Sequence, residues 1–91
     1  MSPLKQKKLK IIRNDLDKLD NLLIKIIKKR TSLVKKVIKL KDKKKQIVDH
    51  KRIKLILRNI RRKSIKNKID PKITYKIWRN MISAYIDFEK R

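Results

Sequence analysis

The sequence predicts an all-α protein with three helices per chain, the first of them unusually long. Leucine and isoleucine recur at intervals of three and four residues along the first forty positions, a spacing typical of one helix face. The chain has no glycine, and its two prolines stand at positions 3 and 71, so few residues favour a helix end. Asp70 followed by Pro71 is a strong helix start, because Asp caps the N-terminus and Pro fits the first turn.

The first predicted helix runs from about Leu4 to Lys41. At a rise of about 1.5 Å per residue it is about 55 Å long. A globule of this size has a radius of gyration of only about 13 Å and cannot cover such a rod. We therefore expect a second copy of the chain to bury its apolar seam, in which Arg30 takes the place of an expected leucine. The seam residues are Leu9, Ile12, Leu16, Leu19, Leu23, Ile26, Leu33, Val37 and Leu40.

Two shorter helices are predicted after a lysine-rich connection at residues 42–48. The second helix opens at Asp49 and extends to about Asn67, and the third extends from Pro71 nearly to Arg91, within a single domain over residues 1–91. The apolar face of the second helix comprises Ile53, Ile56, Leu57 and Ile60, with Ser64 in line. The face of the third comprises Ile73, Ile77, Trp78, Met81, Ile82 and Tyr85, with Glu89 four residues later.

Composition excludes several classes of site. Without glycine there is no phosphate-binding loop, and without cysteine and with one histidine a zinc site or Cys-based catalysis is close to excluded. We see no signal peptide and no apolar stretch long enough to span a bilayer, so a cytoplasmic protein is expected. The net charge of +23 fits either a base-composition bias toward lysine or an anionic partner.

Arg30 is the most informative residue for function. A guanidinium inside an apolar seam is costly unless it is paired, and the chain has only eight carboxylates. It forms either a buried ion pair, with Asp49 or Asp20, or a contact with an anionic ligand. Lys41 lies about three turns and about 16 Å further along the same face, so it either helps to bind a small dianion or is a solvated lysine.

Three other charged residues have a structural and a functional interpretation. Arg13 lies about 25 Å before Arg30, too far to reach the same ligand within one chain, and is either a surface residue or a contribution to a partner's site. Asp49 and Arg52 share a face at the start of the second helix. They form either a local helix-end pair or part of a binding site.

These residues together resemble the all-helical class of chorismate mutases over about residues 13–89. The family has an Arg, an Asp seven residues later within a Leu-Asp pair, an Arg ten residues further and a Lys eleven after that. Here these positions hold Arg13, Leu19-Asp20, Arg30 and Lys41.

Later segments continue the resemblance. The family's second helix carries an apolar pair followed by Asp-x-x-Arg-Glu, and residues 47–53 here contain Asp49 and Arg52 in that register. Asp70-Pro71 matches the usual entry to the third helix, and residues 78–82 match its aromatic-led apolar stretch.

The resemblance implies an intertwined six-helix homodimer with two active sites. Each site would bind chorismate, a dianion, and rearrange it to prephenate without a cofactor or metal. Catalysis would consist of holding a compact conformer and stabilising negative charge on the breaking ether oxygen. Lys41 would donate to that oxygen, while Arg13 and Arg30 would bind carboxylates in bidentate fashion. One chain would contribute Arg30, Lys41, Asp49, Arg52, Tyr85 and Glu89, and the other would contribute Arg13.

Three positions depart from the family pattern. Ile53 replaces a Glu that helps to bind the ring hydroxyl of the substrate, and Tyr85 replaces a common Ser. Glu89 replaces a common Gln, the second donor to the ether oxygen, and it is expected near Lys41. Because a carboxyl group donates only when protonated, this change should alter the pH dependence of the reaction.

Other functions stay open at this stage. An isochorismate pyruvate-lyase shares the fold and the cationic site, and the sequence separates the two enzymes poorly, the more so because Ile53 replaces the family Glu. A basic helical dimer that binds nucleic acid is the alternative from another class, although its cations are spread over all helices and aromatic residues are few. An inactive relative of the enzymes is the third alternative.

Overall fold

The computed structural model describes residues 2–41 and 48–91, and all the regular structure in these ranges is helical. Helix α1 comprises Pro3–Leu40, α2 His50–Lys66 and α3 Pro71–Glu89. This confirms the prediction of an all-α chain with one long N-terminal helix. The predicted connection at residues 42–48 lies outside the described residues except for Val48. The chain divides into two compact units, Met1–Lys36 and Val37–Arg91, and each is described by itself.

Helix α1 leaves most of its apolar residues exposed. It has 38 residues and none of them is buried. Leu16, Leu19 and Leu23, from the centre of the predicted seam, remain 53%, 55% and 53% exposed. A single chain therefore does not bury the seam, and its burial by a second copy stays a prediction.

The second unit is held together by packing between α2 and α3. Two residues are buried in the described part of this unit, and both are polar: Ser64 is 3% exposed and Thr74 is 8% exposed. The Ser64 hydroxyl donates to the carbonyl oxygen of Ile60 at 2.6 Å and lies 2.7 Å from the Thr74 hydroxyl. With the Ser64 proton used in this way, the single Thr74 proton goes either to Ser64 or to the carbonyl oxygen of Pro71 at 3.3 Å, and both buried hydroxyls have a partner in either case.

The face of α3 that packs inward agrees with the predicted one from Trp78 onward but differs from it in the first turns. Ile73 and Ile77, both predicted on the buried face, are 55% and 50% exposed. Thr74 is buried instead and Trp78 is half-buried, four residues further along the same face. The apolar pattern could not reveal this, because the residue that α3 places against Ser64 is a threonine.

Aspartate caps the N-terminus of both short helices. Asp49 Oδ1 accepts a hydrogen bond from the backbone N–H of Arg52 at 3.0 Å, and Asp70 Oδ1 accepts one from Lys72 at 2.9 Å. Pro71 follows in the first turn of α3, as the sequence predicted. Each carboxylate satisfies a backbone donor that the helix leaves without an internal partner.

Lys68 terminates α2 in a left-handed conformation, with φ of 58°. Its N–H donates to the carbonyl of Ile65 at 3.1 Å, and the next N–H, of Ile69, donates to that of Ser64 at 2.9 Å. These two bonds form a Schellman motif, which usually has glycine at the left-handed position. A lysine there carries a steric cost from its Cβ atom.

Candidate active site

The second unit brings Lys41 and Glu89 into direct contact. The Lys41 Nζ atom donates to Glu89 Oε2 at 3.3 Å across 48 positions of sequence. The side chains are 23% and 10% exposed, respectively, so the ion pair is partly shielded from water. A shielded ammonium group is a stronger electrostatic group than one in bulk water, because the local dielectric constant is lower.

Helix ends position both members of this pair. Lys41 directly follows the last residue of α1, and its backbone N–H donates to the carbonyls of Val37 and Ile38, both at 3.2 Å. Glu89 is the last residue of α3. Tyr85, one turn earlier on the same face, is half-buried. Two helix termini therefore place an ammonium, a carboxylate and a phenol in one part of the second unit.

Asp49 takes the structural one of its two predicted roles, and Arg52 takes part in it only through its backbone. Asp49 uses one carboxylate oxygen to cap α2 through the backbone of Arg52, and both side chains are exposed. The structural interpretation of Asp49 as a helix-end residue is thus correct. Binding of a substrate by Asp49 and Arg52 stays a prediction.

Ile53 occupies the position at which the family pattern has a glutamate. It lies in the first turns of α2 and is half-buried. An isoleucine offers no hydrogen bond to a substrate hydroxyl, so this position can contribute only apolar contact.

The two predicted arginines of α1 lie in the first unit. Arg13 is exposed and Arg30 is half-buried, although the apolar residues Ile26, Ile27 and Leu33 near it on the helix are exposed. Lys41, Asp49, Arg52, Tyr85 and Glu89 all lie in the second unit. Of the predicted site residues, the structure brings Lys41 and Glu89 together directly and places Tyr85 one turn from Glu89.

This arrangement can polarise an oxygen atom through charge and hydrogen bonding. The Lys41 ammonium can donate to an ether or carboxylate oxygen, and its partner can do so only in the protonated form. A reaction that needs charge stabilisation and substrate positioning, rather than a covalent intermediate, fits these groups.

Comparison with known proteins identifies a family. The family model described as chorismate mutase type II matches residues 12–90. Searches of curated proteins and of solved structures find no significant match. Within residues 2–41 and 48–91, no helix is long and apolar enough to cross a membrane.

Proposed function

Because the chain belongs to the chorismate mutase type II family, we propose that it rearranges chorismate to prephenate in aromatic amino-acid biosynthesis, in the cytoplasm. The contact between Lys41 and Glu89 supports this most directly. These residues stand where the family pattern has its two donors to the ether oxygen, and they lie 3.3 Å apart although 48 positions separate them in sequence.

The proposed mechanism requires no cofactor and no covalent step. One C–O bond breaks and one C–C bond forms within a single substrate molecule, while negative charge develops on the ether oxygen. Lys41 stabilises that charge by donating a hydrogen bond from a partly shielded position. Arg30 holds one carboxylate of the substrate in its compact conformer, and Asp49, Arg52 and Tyr85 complete the binding site.

A second chain completes each site in this proposal. The exposed seam of α1 and the lack of any buried hydrophobic residue in the described ranges support association with another copy. Arg13 lies on the same helix as Arg30 but seventeen residues, or about 25 Å, away from it. We therefore assign Arg13 to the site of the partner in a homodimer, where it binds the second carboxylate.

Removal of the Lys41 ammonium tests the proposal. We expect Lys41→Ala to lower kcat/KM on chorismate by about 10²- to 10³-fold, the usual effect of losing one donor to a developing oxyanion. Lys39→Ala is the matched control, because Lys39 is an exposed lysine in the last turn of α1. Wild-type protein that does not consume chorismate, or equal activity of the two variants, would contradict the assignment.

The half-buried Ile53 supports a second candidate, an isochorismate pyruvate-lyase of the same fold. The family glutamate binds the ring hydroxyl, whose position distinguishes chorismate from isochorismate, and isoleucine removes that contact. Incubation with each substrate separates the candidates. Prephenate from chorismate supports the mutase, whereas release of pyruvate from isochorismate at higher kcat/KM supports the lyase.

A further inference from the structure

A groove between α2 and α3 has cations along both sides. It has a volume of about 600 Å³ and no carboxylate among its described lining residues. Arg58 and Arg61 line it from α2, and Lys72 and Lys76 line it from α3. All four side chains are exposed. We call these four residues the groove cations.

The floor of the groove is apolar. Leu57 and Ile60 of α2 are half-buried there, and Tyr75 of α3 lies across from them with an exposed ring. A highly charged partner such as a nucleic-acid backbone would contact the groove cations but leave the aliphatic floor uncovered. The groove instead fits a helix that carries apolar side chains flanked by carboxylates.

Such a helix segment exists in α1. The exposed residues Leu16, Leu19 and Leu23 lie on one face. Helical periodicity places Asp15 on one side of this strip and Asp20 on the other. Residues 14–21 contain three of the eight carboxylates of a chain with a net charge of +23. We call residues 15–23 the acidic segment.

We infer that the groove binds the acidic segment of a second copy of the chain. The leucine strip would cover the apolar floor, while Asp15 and Asp20 would meet groove cations from α2 and α3. The inference rests on the dimer of the proposed function and adds what aligns it. Two chains with a net charge of +23 each repel one another. Attractive contacts are possible only at the few carboxylates, so these residues can fix the alignment of the two chains, whereas the abundant lysines cannot.

The sign of a charge-reversal effect tests this inference. Arg58→Glu with Lys76→Glu lowers the net charge of each chain by four, from +23 to +19. Reduced repulsion alone would strengthen the dimer. Loss of the proposed contacts should instead raise the dissociation constant, by about tenfold or more for desolvated pairs at an interface. Sedimentation equilibrium at one fixed, near-physiological salt concentration measures the constant.

A matched control makes the same charge change outside the groove. Lys66→Glu with Arg79→Glu again alters one residue of each helix, and both residues are exposed and do not line the groove. We expect the control to bind its partner as tightly as the wild type, or more tightly. Circular dichroism of each variant checks that the helices are intact.

The reciprocal change should restore binding. Asp15→Lys with Asp20→Lys, combined with Arg58→Glu and Lys76→Glu, returns the net charge to +23 with all four proposed partners reversed. We expect its dissociation constant to return to within a few-fold of the wild type. A failure of this restoration, or a groove variant that dimerises as well as the control, overturns the inference.

Two further outcomes distinguish this inference from its premise. A wild-type chain that is monomeric at every salt concentration contradicts the dimer of the proposed function itself. A groove variant that keeps the dimer but loses retention of a single-stranded oligonucleotide assigns the groove to nucleic acid and overturns the inference alone.

Discussion

At the scale of single residues, Glu89 constrains the chemistry most. It accepts a hydrogen bond from Lys41, the proposed donor to the ether oxygen, at 3.3 Å. In this state the carboxylate competes with the substrate for the ammonium group. It also brings negative charge close to an oxygen that is becoming negative. A protonated Glu89 removes both effects, since it can donate a hydrogen bond of its own.

We therefore expect Glu89→Gln to raise kcat/KM on chorismate. Glutamine is an uncharged, permanent donor of similar shape, so the substrate no longer competes with a carboxylate for the Lys41 ammonium group. Steady-state kinetics of both proteins at one fixed pH measure the change. Equal kcat/KM values for the two proteins would show that Glu89 does not face the ether oxygen.

The family pattern predicted both members of this pair and their proximity, but not that they form a direct hydrogen bond. The family pattern indicated Lys41 and Glu89, because their positions match its charged positions on the first and third helices. Helical periodicity alone could not predict this contact, since the two residues lie 48 positions apart. The sequence of the connection at residues 42–48 also does not predict the direction in which the chain continues after α1. Periodicity likewise could not show that Asp49 caps α2 with one of its oxygens.

At the scale of elements, the capped helix starts and the apolar face of α2 were predictable, whereas the first turns of the α3 face and the left-handed end of α2 were not. Asp70 and Pro71 specify the start of α3 through local hydrogen bonding, which a sequence reports directly. The choice of Thr74 over Ile73 for the buried face depends on Ser64 in another helix. Lys68 was not predicted as a left-handed residue, because the usual glycine signal is missing from this chain.

The end of α2 supplies a prediction about stability. Lys68→Gly should raise the free energy of unfolding by about 1 kcal/mol, because a Cβ atom at φ of 58° is unfavourable and glycine has none. Glycine also makes the unfolded chain more flexible, which offsets part of the gain. Denaturant titration at a fixed protein concentration measures the change.

A second glycine variant shows whether the effect depends on the left-handed backbone conformation at position 68. Lys63→Gly alters an exposed lysine five residues earlier, inside α2, and should lower the free energy of unfolding by about 1 kcal/mol. If Lys68→Gly destabilises the protein as much as this control, the left-handed conformation of Lys68 is not a source of strain.

At the scale of the whole molecule, the described residues are mostly helical but bury very few side chains. Among the described residues only two polar side chains are buried, while long stretches of leucine and isoleucine on α1 are exposed. A domain of this size is only marginally stable even with a hydrophobic core. The fold is therefore best understood together with a second chain, and so is the proposed active site.

Complementation between inactive variants tests whether the sites are shared. Arg13→Ala and Arg30→Ala homodimers should each lose nearly all activity, because every site lacks one carboxylate-binding arginine. In a mixed dimer, one site loses both arginines and the other keeps both.

Unfolding and refolding the two variants together in equal amounts produces mixed dimers as half of all dimers if the chains pair at random. Activity should then recover to about a quarter of the wild-type value, since an isologous dimer has two equivalent sites. Each variant refolded alone provides the baseline. Verified mixed dimers without recovered activity would show that Arg13 does not serve the site of its partner.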